Sequence, residues 1–304
     1  MDLTSMTYAV TGPVARITLN RPSRSNALTF ETPRELADCV ERANLDPQVH
    51  VIALAGNGAG FCGGYDLAIG AENMMRFGAE HSSWPAGSPF DPEVLAANHV
   101  PGSTWDPTID YAMMIRNVRG FMSLFASEKP VVCKVHGFCV AGGTDLALCS
   151  DLLVIEDKAK IGYPPARAWG VPTTAMWASR IGIEKAKRLL FTGDCLSGTE
   201  AVAWGLAIEC APAAELDARF EALLARIARM PVNQLVMMKI LVNQTVEAQQ
   251  VRTAQVLGSL FDGIARHTRE GYAFQQRAAE VGFKQAVKER DEPFGDAGRS
   301  TFKG

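Results

Sequence analysis

No stretch of this 304-residue chain approaches the roughly 18 consecutive apolar residues that a membrane-crossing helix needs. Charge of neither sign is in excess. Thirty Lys and Arg stand against 33 Asp and Glu, a net charge of -3 spread without blocks. That excludes the concentrated basic stripe of a nucleic-acid surface. Cysteine is scarce and odd in number, seven residues without a CxxC pair. Neither a disulfide framework nor a thiolate zinc site is indicated, and a reduced, cytoplasmic compartment is expected. The opening MDLTSMTYAV carries an acid at position 2 and lacks the basic and apolar regions of a signal peptide. The five histidines are scattered with no HExxH pair, so no dedicated metal site is expected. There is no internal repeat and no low-complexity tract.

What is present is an α/β pattern followed by helices. Val14 to Leu19 alternates like a strand. Thr32-Pro33-Arg34-Glu35 has the spacing of a capping box with proline at the first helical position, opening a helix to about Asn44. His50 to Gly56 reads as a buried strand. Residues 68–107 lose periodicity and suggest an insertion or lid. A helix is expected over Ile109 to Ala126, buried strands over Val131 to His136 and Leu152 to Glu156, and a helix start at Ser197 to Glu200. A soft boundary near residue 212 divides an α/β core, 1–212, from a helical region, 213–304.

Glycine is concentrated just after the buried strand, in GAGFCGGYDL, Gly58 to Leu67. Gly58, Gly60 and Gly63 satisfy a dinucleotide fingerprint literally, but they follow a strand and helix already complete. The acid that should come about 20 residues later would fall near Glu80, with no strand before it. A plain tight turn is the simpler alternative. A second junction changes the balance: Gly142 and Gly143 also follow a buried strand, they open a helix, and Asp145 lies in its first turn. Two such junctions can bring two backbone N–H groups to one point, as an oxyanion hole for a thioester or ester requires. Glycine permits the close approach of an acyl group.

With these segments in view the chain resembles the crotonase, or enoyl-CoA hydratase/isomerase, family over nearly its whole length. VARITLNRPSRSNAL, VIALAGNGAGFCGGYDL and KVHGFCVAGGTDLALCSD carry the likeness, followed in order by IGYPPARAWGVP, FTGDCLSGTEAVAWGLA and GFKQAVKERDEPF. The resemblance implies a spiral of ββα units, C-terminal helices packed around neighbouring subunits, and a trimer or dimer of trimers. It implies an acyl-CoA thioester substrate, with coenzyme A entering only as part of that substrate and no separate cofactor. The oxyanion donors would be the N–H groups of Tyr65 and Gly142. Arg24, Ser25 and Ala27, continued by Gly63, Gly64, Asp66 and Leu67, would lie along the CoA, and Trp169 would help shape the acyl pocket.

The chain departs from the family at the acids. Asp145 stands where hydratases carry one glutamate, and Pro165 stands where they carry the second. Asp91, Glu93, Asp106 and Asp110 are candidate replacements, with Asp106 preferred. Alternatively Asp145 alone shuttles a proton, as in an isomerase. Hydration of a 2-enoyl-CoA is the leading expectation, with isomerisation and a non-catalytic acyl-CoA-binding scaffold as its rivals.

Overall fold

The computed structural model describes residues 3–66, 84–296 and 301–302. Leu67 and the 68–83 part of the aperiodic segment lie outside them. Strands β1 (Met6–Thr11) and β2 (Val14–Leu19) form an antiparallel hairpin that turns at Gly12. Helix α1 (Thr32–Leu45) then carries the chain to β3 (Val51–Gly56), parallel to β2. After α2 (Pro92–Asn98) and α3 (Pro107–Ala126) comes β4 (Val131–Val135), parallel to β3.

From here the chain winds in a repeated order. Each turn places one strand in a large sheet and the next in a small one, then returns through a helix or loop. The first turn is β4, β5 (Phe138–Val140) and α4 (Gly142–Ala147). The second is β6 (Leu152–Glu156) and β7 (Lys160–Gly162), followed by α5 (Trp177–Ile181) and α6 (Ile183–Thr192). Strand β8 (Cys195–Ser197), helix α7 (Gly198–Trp204) and β9 (Glu209–Ala211) complete it. The large sheet runs β1-β2-β3-β4-β6-β9 and the small one β5-β7-β8. A single bridge from Cys62 to Cys139 ties the first glycine turn to the small sheet. This is the expected spiral of ββα units.

The parallel strands read as unbroken apolar runs because both faces of the large sheet are covered. Ile17, Ile52, Leu54 and Ile155 belong to the main core. Val14, Val51, Val132 and Val154 pack outward on Leu216, Phe220 and Leu224 of α8 (Ala213–Ile227). Four more helices follow: α9 (Val232–Glu247), α10 (Val251–Arg266), α11 (Arg269–Val281) and α12 (Phe283–Asp291). Buried Lys239 anchors α9 by donating to Leu124 O at 2.8 Å, Ser127 Oγ at 2.7 Å and Lys129 O at 3.1 Å, beside Asp151 at 2.8 Å.

Three expectations need correction. The Thr32 to Glu35 capping box does not form: Glu31 is the N-cap, and the buried Glu35 carboxylate accepts from the backbone and hydroxyls of Thr4 and Ser5 at 2.6–2.9 Å. Tertiary donors outcompete the local one. The described part of the aperiodic segment contains α2, capped by Asp91. Strands of three residues escaped the alternation pattern because they span barely one period. The capping box at Ser197 and Glu200 is formed on both sides.

Candidate active site

The loop after β2 is stitched to the first glycine turn by Asn26. Its buried side chain donates to Asn57 O at 2.7 Å, Gly60 O at 3.0 Å and Phe61 O at 3.1 Å, and accepts from Arg21 N at 2.9 Å. Gly63 N donates to Ser25 O at 2.9 Å, Leu28 N to Gly64 O at 2.8 Å, and Asp66 N to Leu28 O at 3.0 Å. Arg24, Ser25, Ala27, Gly63, Gly64 and Asp66 are thereby brought together. The Asp66 carboxylate is paired with Arg21 at 2.8 Å, so its side chain braces the loop. Arg24 and Ser25 are exposed.

The two glycine turns press into each other. A Cβ on Gly64 would stand 2.7 Å from Ala141 Cβ and 3.4 Å from Gly142 N, and Gly64 has φ +103°. A Cβ on Gly142 would stand 2.7 Å from Cε2 of the Tyr65 ring. Only glycine fits at either point. Ala141, just before α4, holds φ 55° and ψ -131°, a conformation a side chain rarely adopts. Strain at this turn sets the direction in which the next N–H points. Among the described residues no acceptor stands at the N–H of Tyr65 or of Gly142.

Asp145 sits within the same first turn of α4 and is 1% exposed. Thr174 donates to its Oδ1 from the backbone at 3.1 Å and from Oγ1 at 2.9 Å. Among the described residues its Oδ2 is buried without a hydrogen-bond partner. Burial pushes the Asp145 carboxyl up to about 7; the Thr174 bonds oppose this and the charge of Asp262 adds to it. Burial likewise raises the Tyr65 phenol, with Asp145 and Asp262 adding to it. A carboxyl that holds a proton near neutrality can both give and take one. Cys62 and Cys139 are buried thiols, the former pushed up by burial to about 12, as packing residues are.

Asp106 is not part of this arrangement. It is the exposed N-cap of α3, accepting from Thr108 N at 2.9 Å and Thr108 Oγ1 at 2.7 Å, and those bonds hold its carboxyl below the usual range. Asp106→Ala should lower the urea unfolding midpoint through loss of the cap and leave turnover unchanged. Trp169 is half-buried against Phe274, with ring centroids 6.0 Å apart. Pro165 belongs to a short 3-10 turn, and its carbonyl accepts from Ala168, Trp169 and Gly170.

The buried acid of α3 is Asp110, one turn beyond Asp106. Its Oδ2 accepts from Trp105 Nε1 at 2.8 Å, Asn98 Nδ2 at 3.1 Å and His267 Nε2 at 3.2 Å. His99, Asp110 and His267 offer ligand atoms within 4.8 Å of one another. Arg266 lies 3.3 Å from Asp110 Oδ1, however, and neutralises the carboxylate from within the protein. Asp262 on α10, which was not among the sequence candidates, carries a charge that acts on Asp145, Tyr65 and Tyr163. Its only signal was an acid on the inner face of a late helix, four residues before an arginine.

Fold and site together define an α/β spiral in which two glycine-rich turns interlock, the N–H groups of Tyr65 and Gly142 find no acceptor among the described residues, and a buried carboxyl, Asp145, lies in the first turn of α4. The profile of the enoyl-CoA hydratase/isomerase family matches residues 10–89 and 109–281. The chain belongs to that family. It is 52% identical to a crystal structure of an enoyl-CoA hydratase from Mycobacterium smegmatis, with 99% of this chain and 98% of that one covered and a TM-score of 0.91. It is 30% identical to a putative enoyl-CoA hydratase of Thermus thermophilus over 72% of this chain and 76% of that protein. A putative enoyl-CoA hydratase of Mycobacterium tuberculosis shares 30% identity over 78% and 72% of the two chains.

Proposed function

We propose that this protein adds water to a 2-enoyl-CoA, giving a 3-hydroxyacyl-CoA. The observation that carries this reading is that, among the described residues, the N–H groups of Tyr65 and Gly142 and the Oδ2 of Asp145 in the first turn of α4 find no hydrogen-bond partner. Two N–H donors on the thioester oxygen lower the barrier to any step that places negative charge there. Each is worth about 3 kcal/mol by the usual effect of removing one. Asp145 carries the proton exchanged with the substrate carbon. Arg24, exposed and in no ion pair among the described residues, suits a CoA phosphate, with the hydrogen-bonded loop of Ser25, Ala27, Gly63 and Gly64 lying along the CoA. The Tyr65 ring closes one wall of the acyl pocket.

Two further features fit the reading. Met237, Met238, Ile240, Leu241 and Val242 on α9, with Leu257, Phe261 and Ile264 on α10, are 45–66% exposed. An apolar surface of that kind suits burial between subunits of a homo-oligomer, a trimer or a dimer of trimers. All seven cysteines are free and six are buried, as suits a reduced cytoplasm. Among the described residues no helix is long and apolar enough to cross a membrane.

Pro165 favours a second reading, a double-bond isomerase that uses Asp145 alone. Ultraviolet absorbance of a short 2-enoyl-CoA separates the cases. Hydration removes the conjugated thioester band at catalytic protein concentration. An isomerase instead creates that band from the 3-enoyl isomer. Binding with no spectral change, unaltered by Asp145→Asn, would mean a non-catalytic scaffold.

A further inference from the structure

Asp145 is one acid, and adding water across a double bond involves two proton movements on neighbouring atoms. Helix α10 presents a stripe to the site. Gln255 Nε2 donates to Thr174 O at 3.1 Å, and a Cβ on Gly258 would stand 3.3 Å from Thr173 Cα. Thr174 is the residue that holds Asp145 Oδ1. Asp262 lies four residues beyond Gly258, one turn further on the same helix face. Gly263 beside it lets the helix close on α3, where a Cβ would stand 2.7 Å from Asp110 Cβ.

The Asp262 side chain is 16% exposed and is fixed by its own helix: Arg266 Nη2 lies 2.7 Å from Oδ2, while Arg266 Nη1 lies 3.3 Å from Asp110 Oδ1. Asp110 is fixed in turn by Trp105, Asn98 and His267. A bridging arginine therefore holds two carboxylates. Asp110 accepts from three donors at Oδ2, whereas Asp262 is held by Arg266 and lies on the face of α10 that packs against Thr173 and Thr174. The charge of Asp262 acts on Tyr65 and Tyr163, and that of His99 acts on Asp262. Burial raises its carboxyl on balance and Arg266 opposes this; Asp262 has a cation at its carboxylate, whereas among the described residues Asp145 has none.

We propose that Asp262 is the second carboxylate of this site, the base that takes the proton of the attacking water while Asp145 protonates the carbon next to the thioester. This rests on the acyl-CoA reading above. A water O–H bond breaks and its proton passes to Asp262. The oxygen bonds to the β carbon, and the double-bond pair moves onto the thioester oxygen between Tyr65 and Gly142. The enolate then takes the Asp145 proton at the α carbon. The proton on Asp262 returns to Asp145 through solvent, which restores both groups.

Two rates measured on the full-length protein separate the roles: hydration of a short 2-enoyl-CoA, and deuterium exchange at the α carbon of a saturated acyl-CoA in heavy water. Exchange involves the amides and Asp145 but no attacking water. Asp262→Asn should slow hydration about a hundredfold and keep exchange within about threefold, and Asp262→Glu should recover at least about tenfold of the lost hydration. Retained exchange shows that the site is still folded. Hydration by Asp262→Asn within about threefold of the parent overturns the proposal, as does a parallel loss of both rates. A parent protein that exchanges but does not hydrate also overturns it, while leaving the oxyanion reading standing. A parent protein showing neither rate removes the acyl-CoA reading itself.

Discussion

Asp145→Asn should abolish most turnover and change how stability depends on pH. An amide keeps the shape of the side chain and can still accept from Thr174 at Oδ1, but it cannot carry a proton. The loss expected of a removed general acid is roughly a thousandfold in kcat, with a much smaller change in acyl-CoA affinity. The stability effect follows from the raised carboxyl, about 7 when folded against an ordinary 3.8. Below pH 4 both states are protonated, and the parent protein keeps its full stability. Between about 4 and 7 the unfolded chain releases a proton that the folded protein still holds, so stability falls as pH rises. The fall totals about 4 kcal/mol and is complete once pH passes the folded value. The asparagine variant lacks this slope. Urea unfolding of both proteins from pH 4.5 to 8 should show the variant gaining on the parent and then running parallel to it. Curves parallel throughout would mean that Asp145 is not a buried, proton-holding carboxyl.

The second large effect is expected at Gly64→Ala. The new Cβ would meet Ala141 Cβ at 2.7 Å and Val140 O at 3.3 Å, on a residue with φ +103°. The two turns must move apart, which under the proposed reading pulls the N–H groups of Tyr65 and Gly142 off a common thioester oxygen. Misplacing one oxyanion donor costs roughly a hundredfold in kcat or more. Backbone strain adds about 1–3 kcal/mol of destabilisation. Gly12→Ala provides the control, because Gly12 also has positive φ, +56°, yet nothing lies within 4 Å of its would-be Cβ. It should lose stability without losing turnover. A Gly64→Ala protein with near-parent kcat would show that the two amides do not share one oxygen.

Some of this site was readable residue by residue and some was not. The glycines at 58–64 and 142–143 were legible because dense glycine after a buried strand is a local signal, and its cause, close backbone approach, is also local. Asp145 was legible from its place in the first turn of a helix. Asp106 misled because an Asp-Pro pair ahead of a helix looks the same whether the acid caps that helix or enters a cavity. In the structure it caps. Glu35 misled in the same way: its spacing from Thr32 fits a local cap, but Thr4 and Ser5, just before β1, take the carboxylate.

Strands β2, β3, β4 and β6, helices α1 and α3, the apolar runs of a sheet covered on both faces, and the two glycine junctions were settled by the sequence alone. Each depends on neighbours within a few positions, through side-chain alternation, helical period or the absence of a Cβ. Which acids reach Asp145, which loop lies beside the glycine turn, and which carboxylates are committed to arginines were decided only in three dimensions. Those outcomes depend on the phase of α10 against the turn at 172–174 and on competition among distant donors. No local pattern encodes either.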